Sequence, residues 1–343
     1  MQTVHSPRHA GHAGNLELMP GEIVPAFELP RRAEIVRARV EAVGLGPILP
    51  PDPHPLDTAA RVHAPDYLAF LAEAWPRWAA SGRAGTAMPF VWPVPGLRAD
   101  VPPEDIDGLL GFYSFDAGAT FVAGTWDAVK ASHDVALTAA ALVRAGAPAA
   151  FALCRPPGHH AGPRAAGGYC FINNAAVAAE WLRGGGLARV SVLDVDYHHG
   201  NGTQAIFYAR GDVQVVSIHA DPRVEYPYFL GHADERGEGE GEGLNLNLPL
   251  PHGTGFDRWS SALDTACAAV TAFAPEALVV SLGVDTFRGD PISRFRLDTP
   301  DYPPIGARIR ALGLPTLFVM EGGYAVEAIG ANAVGVLTGF EAA

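Results

Sequence analysis

The chain of 343 residues carries a net charge of −13, with 37 acidic residues against 24 basic ones, and 48% of its residues are hydrophobic. This acidic balance disfavours nucleic acids and anionic membranes, because proteins that bind such surfaces usually present an excess of lysine and arginine. The apolar fraction suffices for a large buried core, which excludes a disordered chain.

The cysteines and the N-terminal segment indicate the compartment. The chain has three cysteines, Cys154, Cys170 and Cys267. Their odd number and the absence of a C-x-x-C pair argue against a disulfide framework and a thiolate zinc site. The polar residues 1–14 lack the apolar stretch of a signal peptide, and no apolar run has the length of a membrane span. We therefore expect a cytoplasmic protein without membrane partners.

Short apolar runs alternate with helical segments along the chain. Each run is rich in residues such as valine and leucine, as is typical of strands buried on both faces. The alternation predicts a parallel sheet covered by helices. The strand-like runs lie at 151–154, 189–195, 213–218, 277–282 and 315–320, and helical segments lie at 174–183 and 259–273.

Residues 75–115 interrupt this alternation. They are rich in proline, glycine and tryptophan and are too long for an ordinary connection. We expect a loop insertion that covers a site or makes a subunit contact. A disordered insertion is the alternative, but Trp75, Trp78 and Trp92 argue against it.

Chemically versatile residues follow the strand-like runs. They are the segments 155–160, 194–199 and 321–324 together with His219 and Asp285. Ligands of open parallel sheets bind at the carboxyl ends of the strands. The five strand ends are therefore expected to converge on one site.

The segment from Asp194 to His199 indicates a metal site. Alternate residues of a strand face the same way, so Asp194, Asp196 and His198 project to one side. A hydrolytic zinc requires three nitrogen or oxygen ligands and an open position, and Asp196, His198 and Asp285 can supply the three. Iron or manganese also suits an oxygen-rich site. The alternative is a structural hydrogen-bonded cluster, although three buried polar groups are costly unless an ion or a network satisfies them.

Two adjacent histidines follow a rigid proline–glycine turn. Histidine titrates near neutral pH, so His159 and His160 are candidate proton carriers. Asp194 would hold one of them as imidazolium, and Asn201 would leave the other easier to deprotonate. Tyr324 can donate a hydrogen bond to a developing oxyanion, although a structural turn also explains its glycine-rich setting.

Five motifs together resemble the arginase–deacetylase superfamily, and more narrowly the class II histone deacetylases and bacterial acetylpolyamine amidohydrolases. The resemblance extends from about Val62 to Gly339 and implies an α/β fold with an eight-stranded parallel sheet, in a single domain over residues 1–343. The motifs are RPPGHHA at 155–161, GGYCFINNA at 167–175, DVDYHHGNGTQ at 194–204, SLGVD at 281–285 and MEGGY at 320–324.

The resemblance implies a role for each residue of the site. The zinc ligands are Asp196, His198 and Asp285. The catalytic groups are His160 as general base and acid, His159 paired with Asp194, and Tyr324 on the acetyl carbonyl. Asn201 stands where class I relatives have aspartate. Gly168, Tyr169 and Tyr226 wall the substrate tunnel, and a structural potassium ion lies near Asp194, Ser217 and the main-chain carbonyls of Asp196, His198 and Ile218.

The same resemblance implies zinc-dependent hydrolysis of N-acetylated amines, with acetate and a free amine as products. The insertion at 75–115 implies a homodimer with a narrowed active-site mouth. Asp107 is a candidate amine-binding residue. The position where the resemblance implies a second acidic residue is occupied by Gly118 here, and Asp116 is the candidate to replace that residue. Polyamines, short diamines and other acylated amines remain alternatives as substrates.

Three other functions compete with this one. A deacetylase of acetyl-lysine in peptides or proteins would need an open mouth. A catalytically silent binding protein would not need an intact set of ligands, histidines and Tyr324. An arginase-like hydrolase would need ligands for two manganese ions, whereas the sequence offers one complete set.

Overall fold

The computed structural model describes residues 1–14, 16–19 and 21–343. Eight of the strands in these ranges form one sheet, and two form a separate hairpin. The strands are β1 (Gln2–Val4), β2 (Leu16–Met19), β3 (Glu22–Pro25), β4 (Ile48–Leu49), β5 (Ala149–Ala152), β6 (Val190–Asp194), β7 (Val213–Ala220), β8 (Asn245–Leu250), β9 (Ala277–Leu282) and β10 (Thr316–Met320).

The large sheet has the order β4-β1-β5-β10-β9-β6-β7-β8, and all its pairs are parallel. The predicted eight-stranded parallel sheet is thereby confirmed, and each of the five strand-like runs overlaps one of its strands. The antiparallel hairpin of β2 and β3 lies outside the large sheet.

Helices cover both faces of the sheet. The predicted helices at 174–183 and 259–273 are confirmed, although the second begins earlier, at Phe256. The helices are α1 (Pro30–Val43), α2 (Ala59–Val62), α3 (Pro65–Ala80), α4 (Ile106–Phe112), α5 (Thr125–Arg144), α6 (Asn174–Gly184), α7 (Asn201–Phe207), α8 (Phe256–Phe273), α9 (Tyr302–Arg310) and α10 (Ile329–Ala342).

Side chains of the strands pack into two hydrophobic cores, because neighbouring residues of a strand point to opposite faces of the sheet. Val192 and Val279 pack into the core that includes residues of α5 and α6. Leu193 and Val280 pack into the other core, which includes residues of α8, α9 and α10. This double burial explains why the strands are almost continuously apolar.

The segment 75–115 combines regular and irregular structure. Its first residues belong to α3 and its last part contains α4, whereas residues 81–105 have neither a helix nor a strand. Tryptophans tie this irregular part to the fold: Nε1 of Trp78 donates to the carbonyl of Gly85 (3.2 Å), and Nε1 of Trp92 donates to Oγ of Ser114 (3.0 Å).

The strand order places the polar motifs side by side. β5, β10, β9, β6 and β7 are consecutive in the sheet, so the loops that follow their carboxyl ends meet at one edge. None of the described helices is both long enough and apolar enough to cross a lipid bilayer.

Candidate active site

Three buried residues meet where β6 and β9 end. Asp196 and His198 follow β6, and Asp285 follows the neighbouring β9. One ligand atom from each lies within 4.8 Å of the others. Nδ1 of His198 is 3.0 Å from Oδ2 of Asp285 and 3.4 Å from Oδ1 of Asp196. The structure therefore brings together the three residues that the sequence nominates as metal ligands.

The electrostatics of this cluster favour a cation. Burial, followed by the charge of Asp196, raises the pKa of Asp285 to about 7. Burial alone would lower the pKa of His198, but both carboxylates outweigh it and raise that pKa. Two adjacent buried carboxylates require positive charge between them. Two carboxylate oxygens and one imidazole nitrogen fit a divalent metal such as zinc.

Main-chain groups orient the two carboxylates. The amide of Gly322 donates to Oδ2 of Asp196 (2.8 Å), and the amide of Tyr197 donates to Oδ1 of Asp285 (2.9 Å). Gly283 is essential to this packing, because a Cβ atom there would lie 1.9 Å from Oδ2 of Asp196. The backbone at Gly283 therefore approaches the carboxylate of Asp196 more closely than any larger residue would allow.

The histidine pair beside the cluster has two different partners. Nδ1 of His159 is 2.9 Å from Oδ2 of Asp194, whereas Nδ1 of His160 donates to Oδ1 of Asn201 (2.7 Å). Burial opposes the charge on His159, but Asp194 outweighs it and raises the pKa of His159 to about 10. Burial and the charges of His159 and His198 hold the pKa of His160 well below its usual value. One imidazole is therefore cationic and the other neutral.

A buried glutamate that sequence reasoning gave no role fixes the histidine loop. Oε2 of Glu321 accepts hydrogen bonds from the amides of Gly158 (2.7 Å) and His159 (3.2 Å). Burial raises the pKa of Glu321 to about 7. Because Glu321 follows β10 and the histidines follow β5, this contact joins two adjacent strand ends.

Tyr324 is held from two sides. Its amide donates to Oδ2 of Asp290 (2.7 Å). The guanidinium of Arg32 lies 4.5 Å from the centre of the Tyr324 ring and donates to the carbonyls of Glu321 and Gly323, each at 2.6 Å. Arg32, which lies outside the sequence motifs, therefore helps to hold the phenol beside the cluster of Asp196, His198 and Asp285.

Arg32 belongs to a buried ionic network that links the loop of His159 and His160 to the loop of Tyr324. Glu28 accepts from Nη1 of Arg32 (2.8 Å) and from Nε and Nη2 of Arg155 (2.8 Å each). Arg155 begins the loop of His159 and His160, and Arg32 holds the loop of Tyr324. Glu28 precedes α1, far from both loops in sequence, and no local pattern marks it.

A cavity of about 730 Å³ opens above the cluster. Gly168 has φ +50°, and a Cβ atom there would lie 2.3 Å from Cδ2 of His160, so glycine is required. The tunnel residues Gly168, Tyr169 and Tyr226 all line the cavity. The lining also includes Glu17, Leu18, Trp92, Phe115, Asp116, His160, His198, Glu225, Tyr228, Ile292, Arg294 and Tyr324.

The two aspartates proposed for amine recognition differ in position. Asp116 lines the cavity and accepts from the hydroxyl of Tyr226 (2.7 Å) and the amide of Gly168 (3.0 Å). Asp107 is not part of the cavity lining and forms an ion pair with Arg83. Asp116 therefore supports the tunnel wall, whereas Asp107 lies outside it within this chain.

The residues nominated for potassium lie on neighbouring strands. Asp194 of β6 is paired directly with Ser217 of β7, and Ile218 is the next residue of β7. The main chains of Asp196 and His198 continue from the end of β6. Two hydrogen-bonded strands and the segment that follows β6 therefore keep the five residues at one edge of the sheet.

Comparisons with known proteins agree with this architecture. A family model described as the histone deacetylase domain matches residues 26–340. Acetylpolyamine amidohydrolase 1 of Pseudomonas aeruginosa is 57% identical over 344 residues, covering 100% of this chain and 99% of that protein. The acetylpolyamine amidohydrolase of Mycoplana ramosa is 48% identical over 339 residues, covering 99% of each.

A solved structure extends the comparison to three dimensions. The crystal structure of acetylpolyamine aminohydrolase from Burkholderia pseudomallei superimposes with a TM-score of 0.93 at 43% sequence identity, covering 100% of this chain and 99% of that chain. Sequence and structure thus match bacterial amidohydrolases over nearly the full length. The chain therefore belongs to the histone deacetylase family.

Proposed function

We propose that this protein is an amidohydrolase that cleaves N-acetylated amines, either acetylpolyamines or short acetylated diamines, into acetate and free amine. One observation carries the proposal. The buried cluster of Asp196, His198 and Asp285 lies beside His160 and Tyr324 at a cavity that Tyr169 and Tyr226 line. Full-length similarity to proteins named acetylpolyamine amidohydrolases supports the choice of substrate.

The three clustered residues would hold one divalent metal. When bound, zinc would polarise the acyl carbonyl and acidify a water molecule, and Fe²⁺ could serve in its place. The fit rests on the donor atoms within 4.8 Å of one another and on the charge balance of two carboxylates against one dication.

The proton steps belong to His160. Its neutral imidazole takes a proton from the attacking water and later delivers that proton to the leaving amine. His159, kept cationic by Asp194, contributes positive charge beside the reacting carbonyl. The hydroxyl of Tyr324 donates a hydrogen bond to the oxygen that becomes negative in the transition state.

The tunnel favours a narrow substrate. Tyr169 and Tyr226 present aromatic surface to an alkyl chain, and Asp116 fixes Tyr226 through its hydroxyl. A flat amide on a flexible chain suits such an apolar passage. We therefore place the acylated amine in the tunnel, with its carbonyl beside the three candidate metal ligands Asp196, His198 and Asp285.

We further infer a homodimer that forms through the segment 75–115. Among the described residues, all exposed large hydrophobic side chains except Val43 fall in three segments, 16–23, 90–115 and 224–229. Each of these segments contributes to the cavity lining. Apolar surface this concentrated favours burial against a second copy.

We infer a structural potassium ion near Asp194 and Ser217, supported by their direct pairing across β6 and β7. We infer a single deacetylase domain over residues 1–343 and a cytoplasmic location, the latter supported by three free cysteines.

A substrate panel tests the proposed function. Metal-reconstituted enzyme is assayed with N-acetylputrescine, N-acetylspermidine and an acetyl-lysine peptide, and we expect a higher kcat/KM for a small acetylated amine. A higher kcat/KM for the peptide would favour the acetyl-lysine deacetylase instead.

A further inference from the structure

Glu225 points inward from a segment that has no regular structure. Residues 221–230 follow β7 and contain neither a helix nor a strand. Val224 is 55% exposed and Phe229 is 88% exposed, yet the side chain of Glu225 is only 14% exposed. A carboxylate turned inward needs hydrogen-bond donors to offset its lost hydration. The partners of Glu225 therefore fix the position of this segment.

Groups from three neighbouring strand ends surround this carboxylate. The hydroxyl of Tyr197 donates to Oε2 of Glu225 (2.6 Å), and the amide of Tyr226 donates to Oε1 (3.0 Å). Nε2 of His252 lies 3.1 Å from Oε2. Tyr197 follows β6, Tyr226 follows β7 and His252 follows β8, and these strands are consecutive in the sheet. Glu225 thus joins three loops at the edge of the sheet that carries the candidate active site.

Tyr197 ties this carboxylate to the candidate metal ligands. It lies between Asp196 and His198 in the chain, and its amide donates to Oδ1 of Asp285 (2.9 Å). Its buried ring lies 4.8 Å from that of His198 and perpendicular to it. The main chain of Tyr197 therefore contacts a candidate ligand, while its hydroxyl contacts Glu225.

Tyr226 ties the same carboxylate to the tunnel. Its ring lies 5.0 Å from that of His160 and 5.9 Å from that of His198, nearly perpendicular to both. Glu225 holds its amide and Asp116 accepts from its hydroxyl, so Tyr226 is fixed at both ends. A shift of this ring would move the tunnel wall relative to the proposed base, His160.

We propose that Glu225 is a positioning residue, which sets the tunnel wall against the metal-ligand segment by accepting from Tyr226 on one oxygen and from Tyr197 on the other. This inference rests on the proposed function and adds to it a residue outside the sequence motifs. The amide of the substrate reacts beside Tyr226 and His160, and a misplacement of about 1 Å can cost about 100-fold in rate. Glu225 acts through Tyr226 and not on the substrate, because both its oxygens accept from protein donors.

Two variants of Glu225 separate its hydrogen bonds from its charge. Glu225→Ala loses both bonds, so kcat for N-acetylputrescine should fall about 10- to 100-fold, with metal content unchanged. In Glu225→Gln the amide oxygen can accept from Tyr226 while the amide nitrogen donates to the hydroxyl of Tyr197, so kcat should stay within about threefold. The control Glu238→Ala, at an exposed position of another loop, should match the wild type.

A neutral substrate distinguishes positioning from recognition of charge. N-butylacetamide has the amide and the four-carbon chain of N-acetylputrescine without its ammonium group. Glu225→Ala should lower kcat by the same factor on both amides. A loss confined to N-acetylputrescine, or a Glu225→Gln variant as impaired as Glu225→Ala, would overturn the proposal in favour of a direct contact with the amine.

A double variant tests whether Glu225 acts through Tyr226. Tyr226→Ala removes the ring that Glu225 holds, so adding Glu225→Ala should cause no further loss of kcat, whereas independent effects would multiply. A crystal structure of Glu225→Ala should show the ring of Tyr226 displaced by about 1 Å. Multiplied losses or an unmoved ring would refute the positioning role.

These experiments also separate the role of Glu225 from the proposed function. If the wild-type enzyme hydrolyses neither amide, the proposed function fails. If it hydrolyses both and Glu225→Ala matches it in kcat, only the role of Glu225 fails.

Discussion

Two neighbouring histidines of one loop differ in protonation. The carboxylate of Asp194 keeps His159 cationic, whereas burial and the charges of His159 and His198 keep His160, which is hydrogen-bonded to Asn201, neutral. A neutral imidazole can accept a proton from water, and a cationic one cannot. The division of roles therefore depends on the carboxylate beside His159 and on the absence of one beside the buried His160.

Tyr324 is expected to act only in the transition state. Tyr324→Phe removes the hydroxyl while Asp290 and Arg32 still hold the loop, so metal content and melting temperature should stay unchanged. Loss of one oxyanion donor should lower kcat by about 100- to 1000-fold. A kcat equal to that of the wild type would contradict this role.

Asn201 is expected to set the pH range of the enzyme. Asn201→Asp places a carboxylate beside His160, which favours the protonated imidazole and raises the pKa of His160. Because the neutral form is the base, the acidic limb of the profile of kcat/KM against pH should move to higher pH by about 1 to 3 pH units. An unmoved limb in a folded variant would argue against His160 as the base.

At the scale of elements, buried polar contacts join the loops that follow β5 and β10, in addition to the sheet itself. Glu321 joins the loop after β10 to the loop after β5, and Glu28 joins both through Arg32 and Arg155. Breaking a buried ion pair on one side leaves an uncompensated charge, which is strongly destabilising.

Glu28→Gln tests this link. It leaves two buried guanidinium groups without their shared carboxylate, so the free energy of unfolding should fall by about 3–5 kcal/mol in chemical denaturation. Glu41→Gln, which breaks the exposed pair with Arg37 on α1, serves as the control and should change it by less than about 1 kcal/mol. Similar small effects in both variants would refute the network's role.

The elements that could be predicted from the sequence are those with a recognisable local pattern of apolar residues. The strands from β5 onward that lead into the motifs lie in short but strongly apolar runs, and the carboxyl ends of these runs identified the residues of the site. β1 and β4 have only three and two residues, too few to show a pattern. The hairpin of β2 and β3 was not predicted, because its apolar Leu16 and Leu18 are exposed and the Glu17 between them is buried, the reverse of the usual strand pattern. The roles of Glu28 and Arg32 were not predicted, because their contacts with Arg155 and Gly323 join distant parts of the chain.

At the scale of the whole molecule, the exposed hydrophobic residues are unevenly distributed. Leu18, Phe115 and Tyr228 line the cavity, and the others except Val43 belong to the same three segments, whereas helices cover the faces of the sheet. A second copy seated on these segments would both bury them and narrow the access to the tunnel. We therefore expect self-association to affect which substrates reach the tunnel.

Leu97→Asp tests that link, because Leu97 is 60% exposed within the segment 75–115. A carboxylate there should weaken self-association, and sedimentation analysis should show a shift from dimer to monomer. Val43→Asp, at an exposed position outside the three segments, should leave the dimer intact. A wild-type protein that is monomeric at all concentrations would contradict the inferred dimer.

Metal content tests the central claim most directly. Elemental analysis of the purified wild-type protein should give about one equivalent of a divalent metal per chain, and Asp285→Ala should give almost none. Asp264→Ala, on the exposed face of α8, is the control and should keep the metal. Full occupancy in Asp285→Ala, or a metal-free wild type that gains no ion on incubation with zinc, would contradict the account.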